Sequence, residues 1–182
     1  MSVVTNSTTL QSRKEFFAVA KTKQLVKTSI DIPQKSRNAM IDLLNQQLAD
    51  TFDLYSQLKQ AHWNLKGAQF IALHKLYDDL AEESLEHGDM IAERATALGG
   101  VAHGTARMAA ANTRLPEFPV GPIDSLASVA VLVERFAAYA ASTRKAIDAA
   151  EEAKDIGSSD LFTEIVRAAD KNLWFLEAHL QA

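Results

Sequence analysis

The chain contains no cysteine, which rules out disulfides, thiol nucleophiles and thiolate-bound metals. Any metal must bind through His, Asp or Glu, and nothing argues for an oxidising compartment. Glycine and proline are scarce, seven and four in 182 residues, so few positions can break a helix. No apolar run reaches the roughly 18 residues of a membrane span, and Met1 to Thr9 lack an apolar segment behind a basic start. The expectation is a soluble cytoplasmic protein, with one globular domain built from a chain that is 47% hydrophobic. Gly-rich phosphate loops, a Ser-His-Asp order and zinc-protease signatures are missing too, so nucleotide chemistry and nucleophilic hydrolysis have no support.

Charge is unevenly spread. Residues 1–30 hold Arg13, Lys14, Lys21, Lys23 and Lys27 against Glu15 alone, which is +4, so a net charge of −4 leaves −8 on the rest. A basic arm on an acidic body suits an acidic partner such as DNA. Within the arm, Ser12-Arg13-Lys14-Glu15 has capping-box spacing ahead of Phe16 and Phe17, which predicts a short helix.

The scarce glycines and prolines divide the remainder into four long segments of helical periodicity, with no strand-like alternation competing. Asp31-Ile32-Pro33 closes an arm taken as residues 1–34, and the bundle is expected over 35–182. The first long helix is expected from Ser36 to about Lys66, and the second from Phe70 to Leu98, stopped by Gly99-Gly100. A connector with Gly104, Pro116, Pro119 and Gly121 follows, in which Thr105 to Asn112 has room for one short helix. The third long helix is expected from Asp124 to Asp155 and ends at Gly157, and Ser159-Asp160 caps a fourth that reaches His179. Two tight hairpins joined by a long crossing link resemble an all-α, ferritin-like four-helix bundle.

The second helix carries the chemistry. With His74 set to zero and about 100° per residue, Asp78 lies near 40°, Asp89 near 60° and Glu93 near 100°. His62, in Ala61-His62-Trp63-Asn64, adds an imidazole from the first helix. Two imidazoles and three carboxylates suit iron or another first-row divalent ion better than calcium, although these residue types also admit zinc. The apolar positions Leu73, Leu76, Tyr77, Leu80 and Leu98 fill a separate arc, so the ligand face of a lone subunit would meet water. Completing the site calls for a second protein surface, most simply a symmetry mate. Glu82 and Glu86 extend the acidic face and read first as solvated. His87, His103 and His179 read as non-ligands, and Trp63 and Trp174 as core or interface aromatics.

These residues, with Ala92-Glu93-Arg94-Ala95, Leu98-Gly99-Gly100 and the ending Asp170-Lys171-Asn172-Leu173-Trp174-Phe175, resemble the Dps proteins, the DNA-binding proteins from starved cells, over residues 35–180. The resemblance implies a dodecamer that oxidises Fe(II) with hydrogen peroxide or oxygen and stores ferric mineral. Its ferroxidase centre would lie at a two-fold interface, with His62, His74, Asp78, Asp89 and Glu93 as ligands. His74 and Asp78 would come from one subunit and Asp89 and Glu93 from its mate. Zinc would be a competitor, and Glu82 and Glu86 would pass ferric ions to the mineral. The acidic stretch Asp148, Glu151, Glu152, Asp155 and Asp160 resembles the pore-lining region of the family. The Glu-x-x-His pairs of classical ferritins are missing from the second and fourth helices. An alternative reading makes the protein mainly a DNA-condensing, nucleoid-associated particle acting through its basic arms.

Overall fold

The computed structural model describes residues 26–181. Four long helices, α1 (Gln34–Asn64), α2 (Phe70–Ala97), α4 (Ser125–Glu152) and α5 (Ile156–Glu177), form the bundle, and α3 (Ala106–Asn112) is the short helix of the connector. The helix expected after Ser12, and the arm's charges up to Lys23, lie outside the described residues. Residues 26–33 lead into α1 without regular structure, and the Val26 amide donates to the Gly99 carbonyl at 2.7 Å. At that corner Gly99 takes a φ of 89°, and a Cβ there would lie 2.5 Å from the Val26 carbonyl oxygen. Both the left-handed conformation and the close approach therefore require glycine.

Hairpins α1–α2 and α4–α5 pack side by side, and the connector decides how. It runs the length of α1. The His103 amide donates to Asn45, Asn112 accepts from Gln46, the Arg114 amide and guanidinium reach Asp50, and Pro116 accepts from Gln57. Leu65–Lys66 then pairs in parallel with Ile123–Asp124, two-residue strands β1 and β2. This pairing was not expected from the sequence. It ends α1 at Asn64, short of Lys66: the Leu65 amide still donates to the Ala61 carbonyl, but its backbone turns extended (ψ 148°) into the pairing. The chain is returned to the far end of α1, so α4 runs antiparallel to α1, with Thr51 and Tyr139 hydroxyls 2.7 Å apart and Gln47 donating to Thr143.

Leu44, Leu48, Leu54, Leu58, Leu73, Leu132, Phe136 and Phe162 fill the core. By length and mean hydropathy Ser125–Glu152 passes for a membrane span, although Glu134 and Arg135 interrupt its apolar run. The alanines of its outer face raise the hydropathy, while Val129, Leu132, Phe136 and Tyr139 are buried in the bundle.

The α4–α5 turn departs from expectation as well. Lys154, not a glycine, takes the left-handed φ of 59°, and Asp155 caps α5 by accepting from the Ser158 amide at 3.1 Å. Gly157 lies inside the first turn of α5, where a Cβ would come within 3.0 Å of the Arg94 guanidinium. It is there for closeness, not to stop a helix. Asp155, buried and bonded to Arg94 at 2.5 Å, is therefore withdrawn from the acidic stretch, whereas Asp148, Glu151, Glu152 and Asp160 are exposed.

Burial pushes the Tyr77 phenol up to about 12, against a small opposing effect of its bond to Ser128, and raises Tyr139 further. A phenol whose folded pKa exceeds its unfolded value of about 10 supports the fold below pH 10 and loses that support as the pH rises through the folded value. Alkaline spectrophotometric titration should therefore show both phenols ionising above the ordinary tyrosine range, together with loss of helical circular dichroism. Ionisation of all tyrosines near pH 10 with the helices intact would contradict this packing.

Candidate metal centre

His62 stands in the last turn of α1 and His74 in the second turn of α2, brought together by the short α1–α2 link. Their rings stack with centroids 3.6 Å apart and planes 18° from parallel. The His62 Nδ1 donates to the His74 carbonyl at 2.7 Å, and the His74 Nδ1 donates to the His62 carbonyl at 2.9 Å. Since a carbonyl can only accept, both Nδ1 atoms carry hydrogen. In the neutral rings each Nε2 then keeps a free lone pair, the state a metal ligand needs. Phe70 stacks on the outer side of His74 at 5.0 Å.

Asp78 follows His74 by one turn, and its Oδ1 lies 3.9 Å from the His62 Nδ1. Its carboxyl is held below the usual carboxylate range, first by a hydrogen bond from Lys59, partly opposed by desolvation and aided by the positive potential of His62. The Lys59 ammonium bonds directly to Asp78. Sequence reading passed over this lysine; the signal was its spacing, three residues before His62 and four before Trp63 on α1.

Asp89 and Glu93 are elsewhere. At about 1.5 Å per residue, His74 and Glu93 are separated by roughly 28 Å along the α2 axis, and His74 and Asp89 by roughly 22 Å. The angular match on one face is real, but axial rise keeps the two groups apart within one subunit. Among the described residues no cluster of three or more His, Asp or Glu side chains is placed to hold a metal. Asp89 instead borders an open cleft of about 390 Å³ between Phe52, Leu85, Gly88, Ala92 and Gly104. Glu93 is exposed a turn further on. The face that bears both groups also presents Ile71 and Leu85, 60% and 44% exposed.

The other acidic and histidine positions have separate partners. Glu83 is bound to Lys171 and Asn172 of α5, whereas Glu82 and Glu86 are exposed. His87 is half-buried, and burial lowers its pKa against the pull of Glu83, Glu164 and Glu86. The His179 Nδ1 donates to the Phe175 carbonyl. Trp63 and Trp174 are both largely exposed, so neither belongs to the core of the subunit.

Residues 41–182 match the ferritin-like domain family. The chain is 44% identical over 155 residues to the DNA protection during starvation protein of Agrobacterium fabrum, covering 85% of this chain and 96% of that protein. Among solved structures, Streptomyces coelicolor DpsC is similar with a TM-score of 0.83 at 32% identity, covering 87% of this chain and 93% of that one. Mycobacterium smegmatis Dps is similar with a TM-score of 0.82 at 30% identity, covering 86% and 94%.

The reciprocal histidine bonds give an expectation for stability. His74→Ala removes a stacked ring and a donor to the His62 carbonyl, and should lower unfolding free energy by about 1–2 kcal/mol. Asp89→Ala and Glu93→Ala, at exposed positions, should stay within about 0.5 kcal/mol of the parent. Urea unfolding of the three variants measures both, and an equal cost at all three positions would contradict the described geometry.

Proposed function

The chain belongs to the Dps branch of the ferritin-like family, a family of iron storage and of DNA protection during starvation, and on that premise we propose that it is a ferroxidase whose site is shared by two copies. Fe(II) is the substrate, and His62, His74 and Asp78 of one subunit face Asp89 and Glu93 of the next. The observation that carries this reading is a register. The pairs 74/93 and 78/89 are both centred on one point of α2, between residues 83 and 84. Two copies of α2 crossing antiparallel about a two-fold axis at that point would set His74 opposite Glu93 and Asp78 opposite Asp89 in the same contact. Leu85 lies beside that axis and would meet its own copy, which gives its exposure a use.

Each residue type has a task. Imidazole Nε2 atoms favour Fe(II), and carboxylates stabilise the higher charge of Fe(III). Two Fe(II) ions give one electron each to hydrogen peroxide; its O–O bond breaks and the oxygens leave as two hydroxides. With oxygen as the oxidant, four electrons are needed for full reduction, so more Fe(II) is used per oxidant. Ferric product would be stored inside a dodecameric shell, with Glu82 and Glu86 leading inward, and removal of Fe(II) and peroxide together would spare DNA. Zinc would compete for the same ligands.

Anaerobic Fe(II) loading followed by stoichiometric peroxide should give a fast rise of ferric absorbance, lost in His62→Ala/Asp89→Ala. Sharing between subunits has its own check. Co-assembly of a His62→Ala/His74→Ala chain with an Asp89→Ala/Glu93→Ala chain should restore about a quarter of the sites, because in each mixed pair one of the two sites is intact. No recovery in mixed particles would sink the shared-site reading.

A second reading, DNA binding, is favoured by the charge contrast between the +4 of residues 1–30 and the −8 of the remainder. Val26, fastened at Gly99, marks where the arm leaves the bundle. Many such arms on one particle would contact phosphates multivalently, without base readout and with steep salt dependence. Removing residues 1–25 spares the Val26 bond, and should abolish the gel shift of duplex DNA at low salt. An unchanged shift would exclude the arm.

A further inference from the structure

Lys59 is held by two groups at once. Its ammonium donates to Asp78 and lies 5.9 Å from the centre of the Trp63 ring, within the range of a cation–π contact. Lys59 and Trp63 share a face of α1 because four residues make about one turn. The pair is a poor device for stability: the Asp78 side chain is 43% exposed and Trp63 is 63% exposed, and ion pairs in such surroundings contribute little. What the arrangement does supply is a cation already seated on the one carboxylate of the histidine half-site.

We propose that Lys59 is a displaceable occupant of the metal position on Asp78, with the Trp63 ring face as the place to which its ammonium withdraws. This rests on the reading of His62, His74 and Asp78 as metal ligands. Binding at this half-site is then an exchange of a monovalent for a divalent cation. The exchange discriminates by ligand preference. Every divalent cation must displace Lys59 to reach Asp78, but a hard, oxygen-seeking ion such as Mg(II) gains only the carboxylates of the shared site, whereas an ion that takes nitrogen donors recovers the cost through the two imidazole Nε2 atoms as well. Lys59 is thus a specificity residue that keeps abundant hard cations off the site. Trp63, exposed and in contact with no core, has a role as the receiving surface.

The test uses the full chain and redox-inert Zn(II), titrated by calorimetry against a chromogenic chelator, with Mg(II) as competitor. Lys59→Met and Lys59→Gln should each bind Zn(II) roughly tenfold more tightly than the parent, since a positive charge next to the metal is gone, and Mg(II) should compete better in both. Trp63→Leu, which removes the withdrawal surface, should weaken Zn(II) binding several-fold. Should Lys59→Met misassemble by size-exclusion chromatography, Lys59→Gln decides. Unchanged or weaker Zn(II) binding in the lysine variants, with binding still lost in His62→Ala, would overturn the role of Lys59 and leave the metal centre standing. If His62→Ala bound Zn(II) like the parent, the metal-centre reading itself would fall and the role of Lys59 with it.

Discussion

A helix advances about 1.5 Å for every residue it turns, and this fixed ratio governs the relation of site to fold here. Four acidic or imidazole side chains line one face of α2, yet no bending of that helix could gather them. The structure brings together what a second helix can reach. The hairpin link sets α1 against the start of α2, so His62, Lys59 and Trp63 join His74 and Asp78. At the other end of α2 no group of three or more His, Asp or Glu side chains among the described residues is placed to hold a metal with Asp89 or Glu93. Two groups at opposite ends of one exposed face can meet under a two-fold rotation, as proposed above, and by no motion within one subunit.

Keeping that face open depends on where the connector goes. It lies along α1, anchored by groups buried in or near the core. Asp50, 1% exposed, accepts from the Arg114 amide and guanidinium, and Gln57 donates to Pro116 while accepting from Arg135, which also donates to Glu117. Buried carboxylate and guanidinium groups are tolerated because their hydrogen bonds are satisfied, and no buried side-chain polar atom lacks a partner among the described residues. Such bonds are directional, so they fix the connector's path more narrowly than apolar contact would. Had it crossed over α2 instead, it would have covered Leu85 and Asp89. The same crossing brings Ile123–Asp124 beside Leu65–Lys66, which steadies the turn that holds His62 against His74.

Much of this was legible in the sequence because it depends on local rules. Helix lengths follow from apolar periodicity and scarce breakers, the Gly99 stop from left-handed geometry, and the common face of His74, Asp78, Asp89 and Glu93 from angular spacing. What was misread depends on long-range packing. Gly157 looked like a terminator, but its small size serves Arg94, sixty-three residues earlier in the chain. Asp155 looked like part of an acidic surface and is instead the buried partner of that arginine. The two-residue β1–β2 pairing has no local signature, since it joins segments whose proximity is a product of the fold, and the spacing of Lys59 before His62 marks the lysine but not its partner Asp78. The membrane-like hydropathy of α4 shows the converse error: composition alone does not distinguish a helix that packs in protein from one suited to lipid.

The charges at the histidine half-site form a chain of dependencies. Mutual carbonyl bonds fix both imidazoles with Nδ1 protonated, which leaves Nε2 as the only ring atom able to bind a cation. These bonds exist because α1 ends where α2 begins, so each histidine lies within reach of the other's backbone. Asp78 brings one negative charge to this end of α2, and the Lys59 ammonium compensates it. With the Asp78 side chain 43% exposed, water shares in that compensation, so the pairing sets the local charge more than it stabilises the fold. At the far end of α2, Asp89 and Glu93 remain exposed, where water stabilises their charge. The unequal settings follow from packing: the end beside the buried His62 has its countercharge built in, and the end open to solvent leaves its carboxylates to water.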